Sequence, residues 1–303
     1  MTLSERSRLL TTASGTRSEA FGPTEWGLLA SIASIWGASF LFIDIGLEAF
    51  RPGVVALARI GLGAVTLSLF PKARRSIDRA DLGRVALLGV VWMGLPLLLF
   101  PIAQQWIDSS LAGMLNGAVP LMSAVFATIL LRRLPGSRQL AGLVVGFAGV
   151  VAISWPSIQG ARTTALGTIL VLVAVSLYGL AANLAVPLQQ RYGALPVLLR
   201  AQAVALIVVA PFGLLHLPGS SWTWASALAM LPLGLLGTGL AYVAMTVLVG
   251  RAGAARGSVS IYFVPMVAIL LGVLFRDERV ALIALAGTSL VLAGAWLTSR
   301  RES

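Results

Sequence analysis

Residues Ala165–Pro187 read ALGTILVLVAVSLYGLAANLAVP, a run without a single charged side chain. About 20 mainly apolar residues are what a helix needs to cross the hydrocarbon core of a bilayer. A strand of a membrane barrel would alternate with period two, and Leu166–Ala174 shows no alternation. The stretch therefore predicts a transmembrane helix, with its backbone hydrogen bonds closed within itself. Working outward, similar runs occupy 26–46, 54–70, 83–105, 109–131, 138–155, 195–215, 225–248, 256–275 and 280–298. The sequence thus predicts an all-α membrane protein of ten transmembrane helices joined by short connections.

Composition agrees. Of 303 residues, 58% are hydrophobic and 11% charged, and the mean hydropathy is +0.92. Soluble domains carry about 25% charged residues, so this chain could not cover a water-facing surface. The net charge of +11 could suggest nucleic acid, but the basic residues fall in short gaps between apolar runs, which excludes that partner. There is no cysteine, so disulfides, thiol catalysis and zinc–thiolate sites are excluded. Residues 1–25 read as a polar cytoplasmic tail rather than a cleaved signal peptide, and 299–303 as a second tail.

Orientation follows from the cations, because cytoplasmic loops collect Lys and Arg. With the amino terminus inside, Arg6, Arg8, Arg17, Lys72, Arg74, Arg75, Arg79, Arg84, Arg132, Arg133, Arg138, Arg191, Arg251, Arg256, Arg300 and Arg301 lie in the cytoplasm. Only Arg51, Arg162, Arg276 and Arg279 lie outside. Both termini are expected to be cytoplasmic, in a bacterial inner membrane.

The chain also repeats itself. A shift of 145 places Gly89 on Gly234, Gly94 on Gly239, Pro120 on Pro265, Gly142 on Gly287 and Gly149 on Gly294. A slightly smaller shift places Trp36-Gly37 on Tyr178-Gly179 and Arg59 close to Arg200. Each half (26–155 and 165–298, with a linker over 156–164) holds five spans. Five is odd, so the second half is inverted relative to the first. Inverted repeats characterise secondary transporters, whose substrate sits near the midplane between halves.

These features resemble the drug/metabolite transporter superfamily in its ten-helix, EamA-type branch. The resemblance is carried by Ile35-Trp36-Gly37-Ala38-Ser39-Phe40, by Arg59, by Ser110–Ile153, and by a second copy over Gly257–Leu297 that includes Asp277-Glu278-Arg279. One departure is that Arg133 stands where the second copy has Glu278. The resemblance implies an exporter of amino acids and related metabolites working by alternating access, with a cavity lined by spans one, three, four, six, eight and nine. It implies no cofactor and no metal. The chain is read as a monomer whose partners are a small-molecule substrate and the lipid bilayer.

No Asp or Glu sits at a span centre, and His216 lies near an outer helix end. A carrier driven by protons needs a titratable side chain on the substrate path, so facilitated movement or exchange is expected. Uncharged and aromatic residues are the better site candidates. Asn116, Pro120 and Ser123 share one face of span four, Ser258, Tyr262 and Pro265 one face of span nine, and Ser176, Gly179 and Asn183 one face of span six. Trp36 and Ser39 on span one, Trp92, Tyr178 and Tyr242 complete the substrate-binding candidates. Asp44 and Arg59 differ in depth by only ~5 Å at the helical rise, so they are candidates for a structural ion pair. Gly142, Gly146 and Gly149 form a small-residue stripe for close helix packing.

Two other functions stay open at this point. A membrane-embedded enzyme would need a convergent acid, base, nucleophile or metal set, which the residue inventory lacks. A sugar-phosphate, other organic-anion or drug carrier of the same superfamily is the nearer alternative. An anion carrier would want cations in the cavity, and Arg59 and Arg200, the only intraspan cations clear of the helix ends, are expected on outer supports.

Overall fold

The computed structural model describes residues 22–131, 136–159, 162–252 and 259–299. These form ten helices: α1 Pro23–Leu47, α2 Pro52–Ser68, α3 Arg79–Ala103, α4 Ser109–Leu131, α5 Ser137–Gln159, α6 Arg162–Tyr192, α7 Ala194–His216, α8 Trp224–Ala252, α9 Val259–Arg276 and α10 Leu282–Ser299. No strand occurs among the described residues. Helices α1, α3, α4, α6, α7 and α8 are each long and apolar enough to cross a membrane, while the apolar parts of α2, α5, α9 and α10 are shorter. The ten expected spans are all present, with ends moved by a few residues. The linker shrinks, because α5 continues through Pro156 to Gln159 and α6 already begins at Arg162.

Local chemistry explains the helix ends. Pro23 and Pro52 occupy first-turn positions, where a missing N–H costs nothing. The Gly22 N–H donates to Glu25 Oε2 at 3.0 Å, and the Gly53 N–H donates to His216 Nδ1 at 3.0 Å. The lone histidine thus caps an orphan donor at the start of α2. Gly193, at φ 84°, makes the reversal between α6 and α7, a conformation that a Cβ would strain. Proline divides α4, which runs Ser109–Asn116 and resumes at Val119 ahead of Pro120. Its counterpart Pro265 leaves α9 continuous.

Packing follows the repeat. Gly37 of α1 lies against Val264 and Val267 of α9, and its counterpart Gly179 of α6 lies against Met122 and Ser123 of α4. Gly89 of α3 sits on Ala201 and Val204 of α7, and Gly234 of α8 on Leu62 and the Arg59 carbonyl of α2. Helices α5 and α10 pair glycine on glycine, Gly149 against Gly287 and Gly294 against Gly142 and Gly146. Each of these contacts occurs twice with the halves exchanged, which is the arrangement of two inverted five-helix repeats. Each half also carries one π-helical stretch, Gly89–Gly94 in α3 and Pro232–Leu240 in α8, and each contains one of the glycine pairs that the repeat superposes, Gly89 and Gly94 on Gly234 and Gly239.

Ion pairs identify which helix ends meet. Arg251 of α8 pairs with Glu25 of α1 at 2.6 Å, and Arg191 of α6 with Asp81 of α3 at 2.8 Å and with Asp78. Even-numbered helices therefore finish where odd-numbered ones start, and Gly22 and Ser299 share one end of the bundle. That end is called the termini end below. Large apolar side chains such as Ile207, Leu215, Phe275 and Leu282 stay exposed on the outside, where a bilayer rather than water is the solvent that accommodates them.

Candidate functional site

A cavity of about 400 Å³ lies at the centre of the bundle between the two halves. That is large enough for a small organic solute. Its walls are Trp36, Ser39, Phe40 and Ile43 of α1, Arg59 of α2, Trp92, Leu97 and Phe100 of α3, and Asn116 and Val119 of α4. The second half adds Tyr178, Ala182, Ala185 and Gln189 of α6, Ala194 and Leu198 of α7, Gly237, Tyr242, Met245, Thr246 and Val249 of α8, and Ile261 of α9. Helices α2 and α7 thus reach the cavity as well as the six expected. Gln189, Ala194 and Val249 stand at helix ends, so the cavity extends to the termini end. In the other direction its lining stops at Ile43 and Phe100.

Aromatic rings shape the interior. Tyr242 packs edge-on against Trp36 at 5.4 Å and against Trp92 at 5.9 Å between centroids. Phe100 packs edge-on against Phe40 at 5.5 Å and stacks on Tyr178 at 6.0 Å. The Trp36 ring is held by its Nε1–H, which donates to the Gly237 carbonyl at 3.0 Å, within the π-helical stretch of α8. Such stretches carry a surplus residue per turn and often mark functional sites. The Ser39 hydroxyl donates to the Ile35 carbonyl at 2.9 Å, which leaves its oxygen lone pairs to accept. The Asn116 amide lines the cavity with no hydrogen bond to the described residues.

The only charge in the wall among the described residues is Arg59, a residue 6% exposed. Its Nε–H donates to Thr238 Oγ1 at 3.2 Å. Thr238 in turn donates to the Leu233 carbonyl at 3.2 Å, and Gln202 Nε2 donates to the Thr238 carbonyl at 2.7 Å. Two expectations need correcting here. Arg59 does not pair with Asp44, which bonds Arg276 at the far end of α9. Nor does Arg59 belong to an outer support. Depth along two helices brought Asp44 and Arg59 level, but rotation about the axes turns the guanidinium inward. The repeat-related Arg200 behaves differently, donating to the carbonyls of Ala73 at 2.9 Å and Arg74 at 3.3 Å in the loop before α3.

Of the other candidates, Trp36, Ser39, Trp92, Asn116, Tyr178 and Tyr242 converge on the cavity. Ser176 and Asn183 do not line it. Asn183 Nδ2 donates to the Ser123 carbonyl at 2.9 Å, and the Ser176 hydroxyl to the Leu172 carbonyl at 2.8 Å. The face they share meets α4, because Gly179 lets the two helices touch. Tyr262 donates to the Ala295 carbonyl of α10 at 3.1 Å. Pro265 lies against Gly117, and Pro120 shapes the break in α4. Ser258 falls outside the described residues. The sequence reading passed over Gln202, Thr238, Phe40 and Phe100. A buried glutamine and threonine inside apolar spans were the available signal.

The end opposite the termini is sealed by polar contacts. Arg276 bonds Asp44 and, at 2.5 Å, Glu48. Glu278 accepts from the Ser109 N–H at 2.9 Å, the Ser109 hydroxyl at 2.6 Å and the Ser110 N–H at 2.9 Å. It thereby caps the start of α4, where free N–H groups attract an anion. Asp277, at φ 52°, turns the chain back to deliver it. Loss of hydration and the neighbouring Glu278 charge push the Asp108 carboxyl above its ordinary 3.8, although Asp108 keeps contact with solvent. A raised carboxyl costs the fold while it is charged, and that cost disappears as pH falls through the raised value. Asp108→Asn should therefore raise the melting temperature by about 1–2 °C at pH 7. The gain should shrink toward pH 4, as differential scanning fluorimetry would show. Among the described residues no cluster of His, Asp and Glu could hold a metal ion.

Comparisons with known proteins agree with this architecture. Residues 25–155 and 165–300 each match the sequence model of the EamA-like transporter family. An uncharacterized transporter of Archaeoglobus fulgidus is 24% identical over 92% of this chain and 99% of its own length. A probable terminal-alkyne amino-acid exporter of Streptantibioticus cattleyicolor is 26% identical over 91% and 93% respectively. The uncharacterized inner membrane transporter YedA of Escherichia coli K12 is 28% identical over 82% and 81%. A solved crystal structure superposes with a TM-score of 0.60 at 17% identity, covering 90% of this chain and 95% of that one, a likeness of fold.

Proposed function

The chain belongs to the EamA-like transporter family, and from that membership we propose a carrier that exports small metabolites, amino acids in particular, across the bacterial inner membrane by alternating access. The observation that carries the reading is the cavity between the inverted halves, reaching the termini end and sealed at the other. With the termini cytoplasmic, as the distribution of Lys and Arg implies, this is the inward-facing state. The relative in Streptantibioticus cattleyicolor, named for amino-acid export, supports the substrate class.

The lining holds no Asp, Glu or His among the described residues, and an arginine does not titrate in proteins. Transport is therefore facilitated or by exchange, not proton-driven. Proteoliposomes loaded with labelled amino acids should equilibrate them equally fast with and without a pH gradient. Asn116→Leu should slow that transport by roughly five- to a hundredfold, the value of a lost polar contact to a buried solute, with detergent stability nearly unchanged. Accumulation above equilibrium under an imposed proton gradient would overturn the energetic reading. Full-rate transport by Asn116→Leu would remove that residue from the site.

A further inference from the structure

We infer that Arg59 holds the carboxylate of a solute bearing a single negative group, an inference that rests on the carrier reading. A guanidinium nine-tenths removed from water needs an anion or a full set of acceptors, because an unpaired buried charge is costly. Arg59 spends only its Nε–H, on Thr238 Oγ1. Its two terminal nitrogens make no hydrogen bond or ion pair with the described residues, and those residues place no carboxylate in the cavity wall. Arg200 shows what a satisfied arginine looks like at the equivalent place, with its terminal nitrogens on backbone carbonyls.

The mounting is rigid. Thr238 and Gln202 are both fully buried, and their hydrogen bonds tie α2, α7 and the π-helical stretch of α8 into one support. A guanidinium anchored through one nitrogen and free at its outer donors matches the bidentate geometry of a carboxylate. One fixed cation balances one anionic charge. A dicarboxylate or a phosphate ester would bring a second charge into a wall that, among the described residues, holds no second cation. The rings of Trp36, Trp92 and Tyr242 accept an apolar body, and their faces also attract an ammonium group. Both simple monocarboxylates and zwitterionic amino acids therefore fit.

Calorimetric titration of the purified chain with matched probes tests this: phenylalanine, 3-phenylpropanoate, 3-phenylpropanamide and benzylsuccinate, with leucine, 4-methylpentanoate and its amide as an aliphatic series. The wild type should bind acids about ten- to a hundredfold more tightly than the matching amides, the range for hydrogen bonds to a charged group, and should bind benzylsuccinate no better than an amide. A preference for phenylalanine over 3-phenylpropanoate identifies the amino-acid source, and the reverse identifies the simple acid. Arg59→Gln should erase the acid-over-amide preference while keeping amide affinity, and Arg59→Lys should retain part of it. Equal wild-type affinity for acids and amides overturns the inference, as does an absence of binding by every acid in both series. A parallel loss of acid and amide binding in a folded Arg59→Gln also overturns it, since that is what a purely structural arginine would give. The two readings separate cleanly. Acids bound through Arg59 but not moved in proteoliposomes would overturn the carrier and leave the subsite. Transport without acid preference would do the reverse.

Discussion

Glu278→Ala should unseal the end of the bundle opposite the termini. A cysteine placed at Ala182, a cavity-lining position in a chain that otherwise has none, should then react with a membrane-impermeant maleimide added from that side. In the parent protein it should react from that side far more slowly than from the termini side, in proportion to the small fraction of molecules open there. The physical basis is the set of three hydrogen bonds that Glu278 accepts from Ser109 and Ser110. Two of these come from backbone N–H groups at a helix start, which have no intrahelical acceptor. Alanine leaves those donors to water and frees the loop after α9 from α4. Loss of a charged acceptor is worth about 2 kcal/mol, which shifts a two-state equilibrium roughly thirtyfold. Unchanged labelling from that side would show that Arg276, Asp44 and Glu48 hold the seal alone.

Gly294→Leu should have the larger effect on the fold itself. Gly294 faces the Gly142 carbonyl and the Gly146 backbone, and the four side-chain carbons of a leucine have no space between α10 and α5. Membrane helices gain little from burying apolar surface against each other, because lipid is equally apolar. They associate through close packing at small residues instead. Forcing this pair apart should cost more than the 1–3 kcal/mol typical of an overpacked core, since backbone rather than side chain must yield. Size-exclusion chromatography of the detergent-purified variant should show loss of the single folded peak, with Gly294→Ala intermediate. A folded leucine variant with an unchanged melting temperature would mean that α5 and α10 are not bound through this contact.

Much of this architecture is legible in the sequence because a bilayer imposes simple rules. Long uncharged runs such as Ala165–Pro187 can only be spans, and glycines repeated at a fixed shift mark equivalent helix contacts. Four of the cavity aromatics, Trp36, Trp92, Tyr178 and Tyr242, are legible too, since large polar-tipped rings at mid-depth have few other uses. Phe40 and Phe100 carry no polar tip to mark them. Rotation about a helix axis was not legible. The shared face of Ser176 and Asn183 is real, yet it meets α4 instead of the cavity. Spacing identifies a face, but only the neighbouring helices determine what the face meets. The same limit misplaced Arg59. Asp44 was matched by depth to a neighbour in sequence, whereas Arg276 arrives at its side from α9. The π-helical stretches left only their glycines as a trace, because a surplus residue per turn changes hydrogen bonding without changing composition.

The seal around Glu278 also makes the protein two-faced toward its own solute. A molecule arriving from the termini side meets a site already formed and pays nothing to reach it. One arriving from the other side must wait for the fraction of molecules in which the polar contacts have parted, and its apparent affinity is weakened by that fraction. In a passive carrier the ratio of maximal rate to half-saturating concentration must be the same in both directions, so the side with the weaker apparent affinity shows the higher maximal rate. With the termini in the cytoplasm, as proposed above, such a protein begins to drain a cell at low internal concentration and is slow to saturate with what lies outside.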